Sequence, residues 1–248
     1  MLARIVDAIA PAREDVLVEI GPGEGVLTHA LLERAPHLIA IEIDRDLAAR
    51  LAEEFPPERL TVHCADALDF DFSTLPPRAR IVGNLPYNIS TPLLFRLAEQ
   101  ATRLRDLHFM LQREVVERMV ARHSTPDYGR LSVMLQVRFR MKKLFTVAPG
   151  AFRPPPKVES AFVGFELRQP VRTGAAMEAL RTVVWAAFGL RRKTLRNSLA
   201  ATWGLRPTET VLAGLAWDAR VRAESLSLDD FLLLTAAWED AGKPGLFP

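Results

Sequence analysis

The sequence predicts an α/β protein: a doubly wound, mostly parallel sheet with helices on both faces, followed by a small all-helical domain. Three observations carry this prediction. Short, continuous apolar runs alternate with helical patterns through the first two-thirds of the chain. A glycine-rich turn, Gly21-Pro22-Gly23-Glu24-Gly25, joins the first of those runs to a helix. From Gly174 onward the periodicity is helical only.

The elements follow in order. An amphipathic first helix carries Arg4 and Asp7 within its apolar pattern, which makes it a poor secretion signal. Val16 to Ile20 is a strand that runs into the glycine turn, and Val26 to Arg34 continues as a helix. Leu38 to Glu42 is the second strand, Arg45 to Glu54 a helix, Leu60 to Cys64 the third strand, and Arg80 to Gly83 the fourth. A helix over 91–102 and the strand Leu107 to Leu111 come next. Leu131 to Phe139 alternates as a strand, and Val158 to Leu167 is another, with the Pro149 to Pro156 loop between them. That pattern predicts an antiparallel pair finishing the sheet. The polar Pro/Gly stretch over 169–174 reads as a linker, giving domains 1–168 and 175–248.

Composition narrows the class. The longest fully apolar run, Val183 to Leu190, is too short to span a bilayer, so no membrane partner is expected. The single cysteine, Cys64, excludes an internal disulfide and any cysteine-based metal cluster, and a reducing cytoplasm is the expected location. Charge is polarised: residues 1–100 hold 9 Lys/Arg against 16 Asp/Glu, and residues 101–248 hold 23 against 14. Arg130 to Lys157 and Arg181 to Arg206 contain no acid at all, which suits a polyanionic partner such as nucleic acid.

The glycine turn marks a cofactor site. Its glycines let backbone approach a ligand closely. Position 26, where a dinucleotide fingerprint would place its third glycine, is Val26, which favours a nucleoside ligand without a phosphate. Glu42 closes the second strand, where a carboxylate accepts from ribose hydroxyls, and Asp66 follows the third, within reach of an adenine amine. Asp44 and Asp69 each read as a helix N-cap or a surface residue.

Asn84-Leu85-Pro86-Tyr87 ends the fourth strand beside the same crevice. An amide, a proline and an aromatic ring there suit the capture of a flat ring bearing an exocyclic amine. The Asn84 oxygen and the Leu85 carbonyl can accept from the amine, Pro86 stiffens the turn, and Tyr87 offers a π-face. Such a site would act by positioning and preorganisation for an in-line displacement.

With these residues in place, the chain resembles the ribosomal RNA adenine N6,N6-dimethyltransferases, and among them the bacterial small-subunit enzymes linked to kasugamycin resistance. The resemblance rests on Glu19-Ile-Gly-Pro-Gly-Glu-Gly25, Glu42-Ile43-Asp44, Asp66-Ala67 and Asn84 to Pro92. It continues through His108 to Glu114, Tyr128 to Ser132, Phe152 to Val158 and Arg191 to Ser198, and so spans nearly the whole chain. It implies a Rossmann-like methyltransferase sheet with S-adenosylmethionine as donor. Glu19, Gly21, Gly23, Gly25, Glu42, Ile43, Asp66, Ala67 and Asn84 would bind that donor, and Asn84 to Tyr87 would form the target-adenine pocket. Phe152 would sandwich the base opposite Tyr87. The implied substrate is two adjacent adenosines in the loop of the 3′-terminal hairpin of 16S rRNA, in an immature small subunit, methylated by a monomeric enzyme. The family also carries an N-terminal basic segment with a Gln-Asn-Phe-Leu motif that closes over the donor. This sequence starts inside the following helix, at Met1-Leu-Ala-Arg-Ile-Val6.

The remaining polar and aromatic residues divide simply. The five histidines are scattered, and no metal site is expected. Cys64 reads as a buried small hydrophobe. Trp185, Trp203, Trp217 and Trp238 read as core of the helical tail. Arg191, Arg192, Lys193 and Arg196 are the RNA candidates, with Arg192 and Arg196 expected on one helix face to grip phosphates. Three rivals stand beside the small-subunit enzyme. One is the large-subunit adenine methyltransferase of macrolide resistance, although the complete Arg-Arg-Lys-Thr-Leu-Arg-Asn-Ser motif favours the small-subunit enzyme. A protein-glutamine methyltransferase would be expected to read Asn-Pro-Pro-Tyr at the turn. The third is a non-catalytic assembly factor.

Overall fold

The computed structural model describes residues 1–86, 89–153, 155–169, 174–190 and 192–245. Its contacts divide the chain into two units, Met1–Val116 with Phe139–Val171, and Glu117–Arg138 with Arg172–Pro248. The sequence expectation of 1–168 and 175–248 differs in one respect: residues 117–138 belong with the C-terminal helices. Most of the expected linker, 170–173, lies outside the described residues.

The first unit is built on a seven-stranded sheet. Its strands are β1 (Leu17–Ile20), β2 (Leu38–Glu42), β3 (Leu60–Cys64), β4 (Ala79–Asn84), β5 (Leu104–Gln112), β6 (Phe139–Val147) and β7 (Ser160–Leu167). They lie in the order β3-β2-β1-β4-β5-β7-β6. The first five pair in parallel, and β7 and β6 add the predicted antiparallel finish. Parallel neighbours need long crossovers. Here α2 (Val26–Leu32) and α3 (Arg45–Glu54) link the first three strands, and α4 (Ser90–Glu99) links β4 to β5. β1, with a parallel neighbour on each side, is buried at all four positions, as a strand covered on both faces must be.

The amino end of the sheet is locked by Arg80. Its Nε donates to both Asp106 carboxylate oxygens at 3.0 Å, and its Nη1 pairs with Asp15 at 2.5 Å. The same guanidinium donates to the Ile9 and Ala10 carbonyls at the end of α1 (Leu2–Ile9), so it also caps that helix. Burial pushes the Asp106 and Asp15 carboxyls up, but their hydrogen bonds and the facing cations outweigh it and hold both below the usual range.

One predicted strand is corrected. Leu131 to Phe139 is not a strand; Arg130–Gln136 forms α6, and β6 begins only at Phe139. Leu131 to Leu135 are all buried, so the helix shows no one-sided apolar stripe. A polar residue starts it: the Ser132 hydroxyl accepts from the Gly129 amide at 3.0 Å and donates to the Arg118 carbonyl. β6 alternates buried Phe139, Phe145 and Val147 with exposed Arg140 and Lys142, and slips register by a bulge between Lys143 and Phe145.

The second unit contains α6, α7 (Ala175–Ala187), α8 (Leu195–Trp203), α9 (Leu205–Ala213) and α10 (Leu228–Asp240), while α5 (Arg113–Val120) crosses the boundary. Residues 117–138 are held in this unit by non-local bonds. The Ser124 amide donates to the Glu224 carbonyl at 2.7 Å, and the Tyr128 ring meets Phe188 edge-on. Phe188 in turn stacks on the fully buried Phe231.

Candidate active site

The candidate site is a row at the carboxyl ends of adjacent strands. In register, Ile20 lies between Ile41 of β2 and Gly83 of β4. The next residues, Gly21, Glu42 and Asn84, therefore sit at one level of the sheet. β1 has β2 on one side and β4 on the other, so the chain winds in opposite directions from it, and a crevice opens there. Two interstrand steps of about 4.8 Å put the backbones of Glu42 and Asn84 roughly 10 Å apart.

Two close approaches hold the row. A Cβ on Gly83 would lie 2.5 Å from the Ile20 carbonyl oxygen, so only glycine lets β1 and β4 stay paired at that level. A Cβ on Gly25 would lie 2.8 Å from Leu51 of α3, at a backbone φ of 82°. Gly21 and Gly23 also have positive φ, and nothing lies within 4 Å of where their side chains would begin. The turn is thus open at Gly21 and Gly23.

Glu42 organises the turn. Its Oε2 accepts from the Gly23 amide at 2.9 Å, and its Oε1 accepts from the Asp44 amide at 3.0 Å. Each carboxylate oxygen keeps a lone pair for a ligand hydroxyl. Ile43 beside it is 64% exposed, an apolar surface at the crevice lip. Asp44 takes the first of its two expected roles, capping α3 by accepting from the Asp46 and Leu47 amides. Asp66 is half-buried, and one of its oxygens accepts from the Leu68 amide at 2.8 Å, above buried Ala67.

Glu19 occupies a different place from the other acids. It is 1% exposed, and its Oε2 accepts from the Thr28 hydroxyl at 2.7 Å, beneath the turn. Burial raises its carboxyl to about 7, with the Glu42 charge adding to the rise and the Thr28 hydrogen bond opposing it. A carboxyl that titrates near neutrality under a ligand cradle is a feature of functional sites. Sequence reasoning named Glu19 but missed its buried state; the polar residue inside a fully apolar strand was the available signal.

At the other end of the row, Asn84 is exposed and Leu85 is buried, its amide donating to the Met110 carbonyl at 3.2 Å. Pro86 is exposed, and its carbonyl accepts from the Ile89 amide at 3.3 Å. Tyr87 lies outside the described residues. Phe152 follows a single 3-10 turn, half-buried, and packs against the core cluster that contains Met110, Val147 and Phe162.

In the second unit the expectations need correction. Arg191 lies outside the described residues. Arg192 and Lys193 are exposed, but they sit in a turn, because α8 starts only after its cap, Thr194. Arg192 and Arg196 therefore share no helix face, and Arg196 is paired with Glu209. Trp203 and Trp238 are core, and Trp217 is half-buried. Trp185 is 64% exposed, contrary to its expected place in the core. In the first unit, Cys64 is exposed rather than buried, since β3 is the edge strand and Cys64 ends it. Among the described residues, no group of three or more His, Cys, Asp or Glu is arranged to hold a metal, and no helix is long and apolar enough to cross a membrane.

Known proteins resemble this chain over nearly its whole length. Residues 1–237 match the model of the family described as ribosomal RNA adenine dimethylase. The chain is similar to a protein of Thiobacillus denitrificans named ribosomal RNA small subunit methyltransferase A, with 58% identity over 94% of this chain and 90% of that one. A protein of the same name from Aromatoleum aromaticum is 56% identical over 95% and 88%. Among solved structures, a dimethyladenosine transferase from Plasmodium falciparum matches with a TM-score of 0.84 and 26% identity, covering 99% of this chain and 97% of that one. The 23S rRNA methyltransferase ErmE matches at 0.70 with 28% identity, covering 96% of each.

Proposed function

The chain belongs to the ribosomal RNA adenine dimethylase family, and we propose that it dimethylates N6 of two adjacent adenosines in the 3′-terminal hairpin loop of 16S rRNA. It is an S-adenosylmethionine-dependent methyltransferase. The small subunit is preferred over the large one on the strength of relatives above 50% identity that carry the small-subunit name. The acting form is taken to be a monomer in the cytoplasm, meeting the RNA in an immature subunit.

The observation that carries the site assignment is the single row of Gly21, Glu42 and Asn84 at the strand ends. The open turn from Gly21 to Gly25 cradles the donor's methionine end. Glu42 accepts from the ribose hydroxyls with its remaining lone pairs, and Asp66 accepts from the adenine amine with the oxygen not bonded to Leu68. Ile43 and Ala67 flank that adenine. When bound, the donor supplies an electrophilic methyl group to the target nitrogen.

The chain's part in the reaction is positioning. The Asn84 side-chain oxygen and the Leu85 carbonyl accept from the target NH₂, which turns its lone pair toward the cradle. Leu85 can hold this position because its side chain is buried and its amide is tied to β5. Tyr87 and Phe152 would close on the two faces of the base, which must leave its stack to enter. Adenines in a hairpin loop are the least costly RNA bases to present in this way. The proton departs from a cationic product, so no buried base is needed before transfer.

The test is to incubate the protein with labelled S-adenosylmethionine and immature small subunits, digest the RNA and chromatograph the nucleosides. Label in dimethyladenosine of 16S rRNA is the expected result. Label in other nucleosides of 16S rRNA, or none in dimethyladenosine, would overturn the proposal.

A further inference from the structure

Trp185 is a large apolar ring left in water in the last turn of α7. Its neighbours Val183, Val184, Ala186 and Ala187 are all buried, while Trp185 keeps 64% of its surface exposed. A lone exposed apolar residue is ordinary, but this ring is held. The Arg130 guanidinium carbon lies 4.0 Å from the ring centroid, and its Nη2 donates to the Trp185 backbone carbonyl at 3.1 Å. One aromatic face is therefore covered by a planar cation fixed to the same residue, and the remainder of the ring is open.

The surroundings are mainly basic, and the exposed acid on the same helix, Glu178, is paired with Arg181 at 2.6 Å. Arg130 opens the first acid-free stretch of the sequence, and Trp185 lies inside the second. The exposed Arg192 and Lys193 follow a few residues after the helix ends. Basic residues around an aromatic platform are what unpaired nucleic acid requires: cations for the phosphates and a π-face for a base.

We propose that Trp185, backed by Arg130, is a stacking platform for an unpaired base of the ribosomal RNA, separate from the pocket that receives the methylated adenine. The inference extends the proposed function by giving the helical unit a base-stacking residue in addition to phosphate contacts. A stacked base commonly contributes enough that removing its ring weakens binding about tenfold.

The experiment uses the full chain with two probes, single-stranded oligoadenylate and immature small subunits, and the variants Trp185→Ala and Trp185→Phe. Trp185→Ala should weaken oligoadenylate binding about tenfold, Trp185→Phe should recover most of it, and the salt dependence should stay the same, because stacking releases no counterions. On small subunits the loss should appear in KM. The emission difference between the parent and Trp185→Phe, which isolates this one ring, should be quenched at oligoadenylate saturation. Equal affinity of Trp185→Ala and the parent for oligoadenylate would overturn the inference, as would equal losses for Ala and Phe or an unquenched Trp185. A loss seen with small subunits alone would assign the platform to a ribosomal protein and overturn it too. Failure of methyl transfer by the parent, with stacking intact, would count against the proposed function and leave the platform standing.

Discussion

Replacing Glu19 by Gln tests the electrostatics beneath the glycine turn. The parent carboxyl is fully buried and raised from 4.5 to about 7, by burial first and by the Glu42 charge second. Below pH 4.5 both folded and unfolded states hold the proton, and no cost arises. Between 4.5 and 7 the unfolded chain releases it while the folded chain keeps it, so folding loses stability as pH rises through that window. The loss reaches about 3 kcal/mol by pH 8, taking roughly 1.4 kcal/mol for each pH step. Glutamine is neutral at every pH and keeps an oxygen for the Thr28 hydroxyl. Glu19→Gln should therefore match the parent in urea unfolding near pH 4.5 and exceed it by up to about 3 kcal/mol at pH 8. The other titrating groups cancel in the difference between variant and parent. A difference that stays constant from pH 4.5 to 8 would refute the account of Glu19 as a carboxyl forced to keep its proton by burial.

Three further outcomes are expected. Glu42→Gln places an NH₂ against either the Gly23 or the Asp44 amide, both donors, and takes an acceptor from the ribose. Titration calorimetry should show S-adenosylmethionine binding weakened by about 2 kcal/mol, some thirtyfold, and unchanged affinity would exclude Glu42 from the site. Asn84→Ala should bind RNA like the parent while methyl transfer to small subunits falls about a hundredfold, the scale of losing one preorganised polar contact to the reacting group. Retained turnover would remove Asn84 from the catalytic assignment. Arg80→Met leaves the Asp15 and Asp106 carboxylates with only the more exposed Arg105 as a shared cation, and the end of α1 uncapped. It should cost about 3–5 kcal/mol in urea unfolding at pH 7. The deficit should shrink as pH falls toward and below 3.8, where the depressed carboxyls of the parent lose their own contribution.

The parallel strands, and the placing of Gly21, Glu42 and Asn84 at their carboxyl ends, were legible because local pattern and tertiary environment agree there. β1, β2 and β4 are covered on both faces and so are mainly apolar, and the carboxyl ends of β2 and β4 are marked by Glu42 and Asn84. The misread elements are those in which the environment is set by distant residues. α6 is buried nearly all round, so its apolar run resembles a strand, and only contacts with remote segments make it helical. Cys64 is exposed because β3 is an edge strand, a fact of strand order that no local pattern carries. The start of α8 could have been placed correctly. Thr194 followed by Leu-Arg-Asn is an N-cap, and its hydroxyl accepts from the Asn197 amide at 3.4 Å, which leaves Arg192 outside the helix.

The contact units also redistribute the positive charge. The acid-free stretch from Arg130 to Lys157 does not belong to one body: Arg130 and Arg138 lie in the helical unit, and Arg140, Lys142, Lys143, Arg153 and Lys157 lie in the sheet unit. Arg138 is 4% exposed and so has no phosphate to meet. Arg140, Lys142 and Lys143 project from β6, the edge strand, where charge has a purely structural use in preventing edge-to-edge pairing with another sheet. That explanation stops at Val147, where the strand ends. Arg153 and Lys157 stand beyond it, exposed, on the loop that carries Phe152, and an edge strand gains nothing from them. Under the proposed function, charge on that loop would serve RNA backbone passing Phe152.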